Sequence, residues 1–259
     1  MPVRPGAEPF THDGDDVAVL LIHGFTSTPA TLLPWARALA DAGRTVRVPL
    51  LPGHGTRWQD LRRMRWTDWY AEVEDVFQQL RTRSRVVVTA GLSMGGALAL
   101  QLAQRHGPEN GVGVDGVVVV NAAVMASYRG QWALPVGRWV VPSLPPVAGD
   151  IAAPGVVEDA YPRIAPHAAH SMLGGFREVA ARLPEVRQPL LLFRSRTDHV
   201  VPAASSAMVM ARVSSTDTEE VVLEKSYHVA TLDHDAPLIA ERSAAFVDRL
   251  AAVAAGGPS

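Results

Sequence analysis

Cysteine is absent from the 259 residues, which excludes disulfides, thiolate zinc sites and a cysteine nucleophile. Long apolar runs are missing too. No stretch reaches the roughly 18 apolar residues that mark a membrane-spanning helix. Residues 1–16 are rich in proline, glycine and acids and carry no apolar segment of a secretory leader, so a cytoplasmic protein is expected. Charge of one sign is also lacking: 24 Lys and Arg against 26 Asp and Glu leave a net charge of −2 with His neutral. No Lys/Arg run is interleaved with aromatics, which argues against nucleic acid as a partner. No internal repeat is visible. What remains is a globular balance of 47% apolar and 19% charged residues, in a chain long enough for one large domain or a domain with an insertion.

Within that balance, apolar runs and helical patterns alternate. Residues 17–22 are continuously apolar, as suits a strand buried on both faces of a parallel sheet. A helix is expected over residues 30–42, closed by Gly43, then a strand over 45–50. Trp69, Val73, Val76, Phe77 and Leu80 recur at helical spacing and predict an amphipathic helix over 66–81. Further strands are expected at 86–89, 114–120, 189–193 and 219–223, with helices over 203–212 and 236–252. Such βα alternation implies a parallel sheet of six to seven strands covered by helices on both faces. From 125 to 183 the alternation stops. This Pro-, Ala- and Gly-rich stretch, with Tyr128, Trp132, Trp139, Tyr161 and Phe176, is too long for a connection and reads as an inserted cap. Residues 1–124 and 184–259 would then form the core.

The most informative stretch is 85–106. A β-branched run ends in Gly91-Leu-Ser93-Met-Gly95, and an Ala/Leu-rich helical segment follows. Strand, sharp turn and helix are the setting in which Gly-x-Ser-x-Gly becomes a nucleophile elbow. The bare motif arises by chance in about one chain in ten of this length, so a base, an acid and an oxyanion donor must be found elsewhere. Asp198 and His228 each follow a predicted strand at the same edge as Ser93, in the order serine, acid, histidine. His228 would take the proton of Ser93, and Asp198 would hold the imidazole tautomer. His23 is the competing base, although its Gly-flanked place suits a brace for the oxyanion loop. The strand after the elbow ends in Asn121-Ala-Ala without a carboxylate, which leaves Asp198 as the acid. Asp233 and Asp235 suit caps of the final helix. The backbone N–H groups of Phe25 and Met94 are the expected oxyanion donors. No metal or cofactor is called for.

The stretches His23-Gly-Phe-Thr-Ser-Thr-Pro29, Gly53-His-Gly-Thr56, Gly91-Leu-Ser-Met-Gly-Gly96, Val120-Asn-Ala-Ala-Val124, Asp198-His-Val-Val-Pro202 and Ser226-Tyr-His-Val-Ala-Thr-Leu-Asp233 together resemble the bacterial monoacylglycerol lipases and small bacterial carboxylesterases. The resemblance implies an α/β-hydrolase fold with a small lid and cleavage of carboxylic esters, foremost monoacylglycerols. It implies a small lipid ester as the partner; the apolar side chains of the cap allow at most transient contact with lipid surfaces. It also implies a polar end of the substrate pocket, with Glu158 at the position of a glycerol-contacting carboxylate and Asn121 as a related contact. Glu158 as an exposed charge and Asn121 as a group satisfying loop backbone are the plainer roles for the same residues. Only a short segment precedes Val17, where fuller members of the superfamily open with an antiparallel hairpin, so at most seven strands are expected. A general carboxylesterase and a carbon–carbon bond hydrolase share this triad. A non-enzymatic binding protein would lack one of its members.

Overall fold

The computed structural model describes residues 2–108, 112–125 and 134–256. Seven strands form one sheet in the order β1-β3-β2-β4-β5-β6-β7. They are β1 (Phe10–His12), β2 (Val17–Ile22), β3 (Thr45–Val48), β4 (Val86–Leu92), β5 (Gly116–Val120), β6 (Leu190–Ser195) and β7 (Thr218–Leu223). All neighbours run parallel except β1, which pairs antiparallel with β3, Phe10 opposite Val48. This is the mostly parallel sheet that the alternation predicts and the α/β-hydrolase architecture that the resemblance implies, and the strand number is the upper bound expected.

Because side chains alternate across a strand, each apolar run feeds two cores at once. Ala18, Leu20 and Ile22 of β2 join one layer with Val87, Val117 and Leu192. Val17, Val19 and Leu21 face the other with Val88, Val118 and Phe193. The first layer is roofed by α2 (Trp66–Arg81), α3 (Met94–Arg105), α5 (Pro166–Ala181) and α6 (Ala203–Arg212). The second is roofed by α1 (Leu33–Asp41) and α7 (Ala236–Ala254). In α2 the expected stripe is the buried one: Trp69, Val73, Phe77 and Leu80 are fully enclosed.

Between β5 and β6 the described chain contains α4 (Leu134–Gly137) and α5. Tyr128 and Trp132 lie outside the described residues. The two helices differ in their packing. Phe176 and Val179 of α5 belong to the main core layer, whereas α4 contributes Leu134 to a small separate cluster with Ile164 and Ala169. Residues 144 and 164 form a lone antiparallel bridge. Of the two expected caps, Asp235 does occupy the N-cap position of α7, its carbonyl accepting from the Ile239 amide, but its side chain makes no capping bond. Asp235 accepts from the Lys225 amide at 2.9 Å, and Asp233 is engaged by four other amides. No described helix is long and apolar enough to cross a membrane.

Candidate active site

The carboxyl ends of β2, β4, β5, β6 and β7 open on one edge, where α/β sheets gather their working groups. Ser93 sits there between β4 and α3, with φ 56° and ψ −117°. This is a strained conformation for any residue with a side chain. Its surroundings dictate it. The Ser93 amide donates to Val120 O at 3.0 Å, and its carbonyl accepts from Ala97 and Ala123. The motif glycines let the strand and helix meet: a Cβ on Gly91 would lie 2.3 Å from the Gly95 carbonyl carbon, and one on Gly95 would lie 1.9 Å from the Ile22 oxygen. Only hydrogen fits at either place.

Met94 opens α3, so its amide has no partner within the helix. Among the described residues neither it nor the Phe25 amide donates to a protein acceptor. The loop carrying Phe25 is fixed by His23. That ring is fully buried, donates from Nδ1 to Gly24 O at 2.9 Å and accepts at Nε2 from the Leu51 amide at 3.1 Å. Burial pushes its pKa down to about 4, so it is neutral near pH 7 with both nitrogens occupied. It braces the loop and has no free nitrogen to act as a base. His54 packs edge-on to it at 5.0 Å, and burial likewise depresses its pKa, helped by His23. The Phe25 ring stands on Trp69 at 5.5 Å and walls the cavity.

His228 and Asp198 are joined by a 2.8 Å bond from Nδ1 to Oδ2, with side chains only 8% and 7% exposed. The other oxygen of Asp198 accepts from the Val200 and Val201 amides, both at 2.8 Å. Asp198 is thus oriented by its own loop, and a proton held on Nδ1 leaves Nε2 of His228 as the basic nitrogen. Ser93 and His228 line one cavity of about 210 Å³. Its wall is mainly apolar, with Leu134, Leu144, Ile164, Met172, Leu173 and Phe176 among the lining side chains, and Asp150, Glu158 and His199 are its charged or titratable members beside His228.

The two expected substrate contacts part company here. Glu158 lines the cavity, where its carboxylate accepts from the Gly149 amide at 2.7 Å. Asn121 does not line it. The Asn121 amide nitrogen donates to Ser195 Oγ at 2.9 Å and His228 O at 2.8 Å, while its oxygen accepts from the Ser195 amide at 2.8 Å. With φ 46° it turns the chain beneath the base loop. Its hydrogen bonds go to backbone and Ser195, which is the plainer role expected for it. Asp150 has no signature in the sequence, because it is an acid in a stretch with no periodicity to locate it.

A protein-family model described as "Serine aminopeptidase, S33" matches residues 15–235. The chain belongs to this family. Within and around it, 41% identity over 250 residues relates the chain to a thermostable monoacylglycerol lipase of Bacillus sp. (strain H-257), covering 95% of this chain and 96% of that protein. A carboxylesterase of Bacillus subtilis (strain 168) is 26% identical over 258 residues, covering 94% and 97%. A solved structure from work on LipS and LipT, two metagenome-derived lipolytic enzymes, matches with a TM-score of 0.92 at 38% identity, covering 96% of this chain and 100% of that one. The S33 match takes in β2 to β7, and these relatives are covered over 94% or more of both chains.

Proposed function

We propose that the chain is a serine hydrolase that cleaves monoacylglycerols to glycerol and free fatty acid through an acyl-serine intermediate. Ser93 attacks the ester carbonyl while His228 Nε2 takes its proton, and Asp198 stabilises the imidazolium. The amides of Phe25 and Met94 donate to the tetrahedral oxyanion, each contributing about 3 kcal/mol. The imidazolium then protonates the leaving alcohol, and a water deprotonated by His228 releases the acid. Residues 125–183 serve as the cap, with the apolar side chains before α5 supplying an acyl wall and Glu158 the polar end for the glycerol head. The exposed Val136, Trp139 and Val140 suit brief contact with a lipid surface.

The observation that carries this reading is the strained Ser93 sharing one largely apolar cavity with the Asp198-bound His228. The lipase relative at 41% identity favours the glyceride. A fluorophosphonate probe should label the wild type and not Ser93→Ala, whose kcat should fall by about 10⁶. Turnover by Ser93→Ala near the wild-type rate would end the proposal. Monolaurin should be hydrolysed much faster than tributyrin. Comparable rates would instead make the enzyme a general carboxylesterase.

A further inference from the structure

Asp198 and His228 arrive at the sheet edge on two separate loops, the acid loop after β6 and the base loop after β7. The inner side of the base loop is held by Asn121, which donates to the His228 carbonyl. Its outer side is held from an unexpected quarter. Asp150, in the segment between β5 and β6, accepts from the His228 amide at 3.1 Å and from the His199 amide at 3.1 Å, both on Oδ2. Its second oxygen meets His199 Nδ1 at 2.7 Å, and its own carbonyl accepts from the Val229 amide at 3.1 Å. One carboxylate therefore touches the residue after the acid and the base itself. The peptide groups flanking the His228 Cα are gripped from two directions.

A second carboxylate returns the grip. Asp233, on the base loop, accepts from the Ala152 and Ala153 amides at 2.7 and 2.9 Å and from the Tyr227 amide at 2.9 Å. The segment around Asp150 is thus stitched to the base loop in both directions. Hydrogen bonds to an ionised acceptor are about twice as strong as neutral ones. Asp233, with the His234 amide as a fourth donor, uses the full acceptor capacity that a carboxylate offers.

We propose that Asp150 is a positioning residue, holding the acid and base loops in register from the cap side. The proposal rests on the serine hydrolase reading above. It also means that this part of the cap is fixed to the catalytic edge, so any opening of the cap takes place elsewhere along it.

The test uses the full-length chain and p-nitrophenyl butyrate, and so does not depend on the glyceride preference. Asp150→Ala should lower kcat about tenfold to a hundredfold, the scale of a misaligned catalytic group, with KM within about twofold of wild type. Asp150→Asn keeps one oxygen for the two amides and should recover most of the rate. The downfield Nδ1 proton resonance of His228 should broaden or shift in Asp150→Ala and persist in Asp150→Asn. Should Asp150→Ala fail to fold, Asp150→Ser is read by the same criteria. Wild-type kcat in the alanine or serine variant would overturn the proposal, as would a loss in Asp150→Asn as large as in Asp150→Ala. Failure of the fluorophosphonate to label Ser93 in the wild type would instead overturn the hydrolase reading.

Discussion

Ser93 and Leu144 line the same cavity, yet the chain around each is packed in opposite ways. Around Ser93 every residue of β4 is buried, as are the first eleven residues of α3, and two glycines touch backbone with no spare volume. Around Leu144 the chain is open: Trp139 is 71% exposed, Val140 77% and Val157 85%. That side is tied down at points, by the 144–164 bridge, by the Tyr161 amide on Thr26 O, and by the Asp150 and Asp233 carboxylates. A close-packed interior transmits any volume change as strain, whereas a half-exposed wall absorbs it. On the proposed function, the bond-breaking geometry falls to the first side and the shape of the substrate to the second.

The sharpest way to break that contrast is Gly95→Ala. With backbone 1.9 Å from the new Cβ and nothing flexible to yield, the variant should lose at least about 3 kcal/mol of stability. Urea unfolding with a wild-type midpoint would mean that the elbow is not jammed at all. Next in size is acid sensitivity on the same side. The folded pKa of His23 is about 4 against 6.5 for an unperturbed histidine, so between those values the unfolded chain binds a proton that the native state refuses. Stability should therefore fall as pH drops from 6.5 to 4, by about 3 kcal/mol in all, and remain intact above 6.5. His54 acts in the same direction. His23→Asn should flatten the melting-temperature profile across that window, and an unchanged slope would place the acid sensitivity elsewhere.

The smallest effect belongs to the open wall. Leu144→Ala should cost about 1–2 kcal/mol of transition-state binding for a lauroyl ester, through lost methylene contacts. A butyryl ester should be affected far less, and the unfolding free energy from urea titration should change by under about 0.5 kcal/mol. A uniform loss across chain lengths would show that Leu144 supports the fold and not the acyl group.

The contrast also explains what could be read from the amino acids. Runs such as Val17–Ile22 and the Trp69, Val73, Phe77 and Leu80 stripe declare themselves because burial on a sheet or helix imposes a period. β1 escaped because three residues carry no period, and its place is set by pairing with β3 and by Arg47 donating to His12 O at 2.7 Å. α5 was hidden by Gly174 and Gly175. At Gly175 a Cβ would fall 2.0 Å from the Trp66 ring, a tertiary reason that local sequence does not express. Ser93, Asp198 and His228 stood out because each follows a strand at the active edge. The role of Asn121 depended on where Ser195 and His228 lie in space. Asp150, Asp233 and Tyr161 act across loops far apart in sequence. The hydroxyl of Tyr161 donates to Gly53 O at 2.9 Å and accepts from the Thr56 amide at 2.8 Å, a link with no local signature.

The jammed contact between Gly95 and the end of β2 bears on how this chain can be diversified. A library randomised at residue 91 or 95 would consist mostly of molecules that never fold, whatever ester is offered to them. Randomising Leu134, Leu144 and Met172 spreads variation over a wall with room to repack. New acyl preferences should therefore be recoverable from that wall by screening, with the reacting groups inherited unchanged.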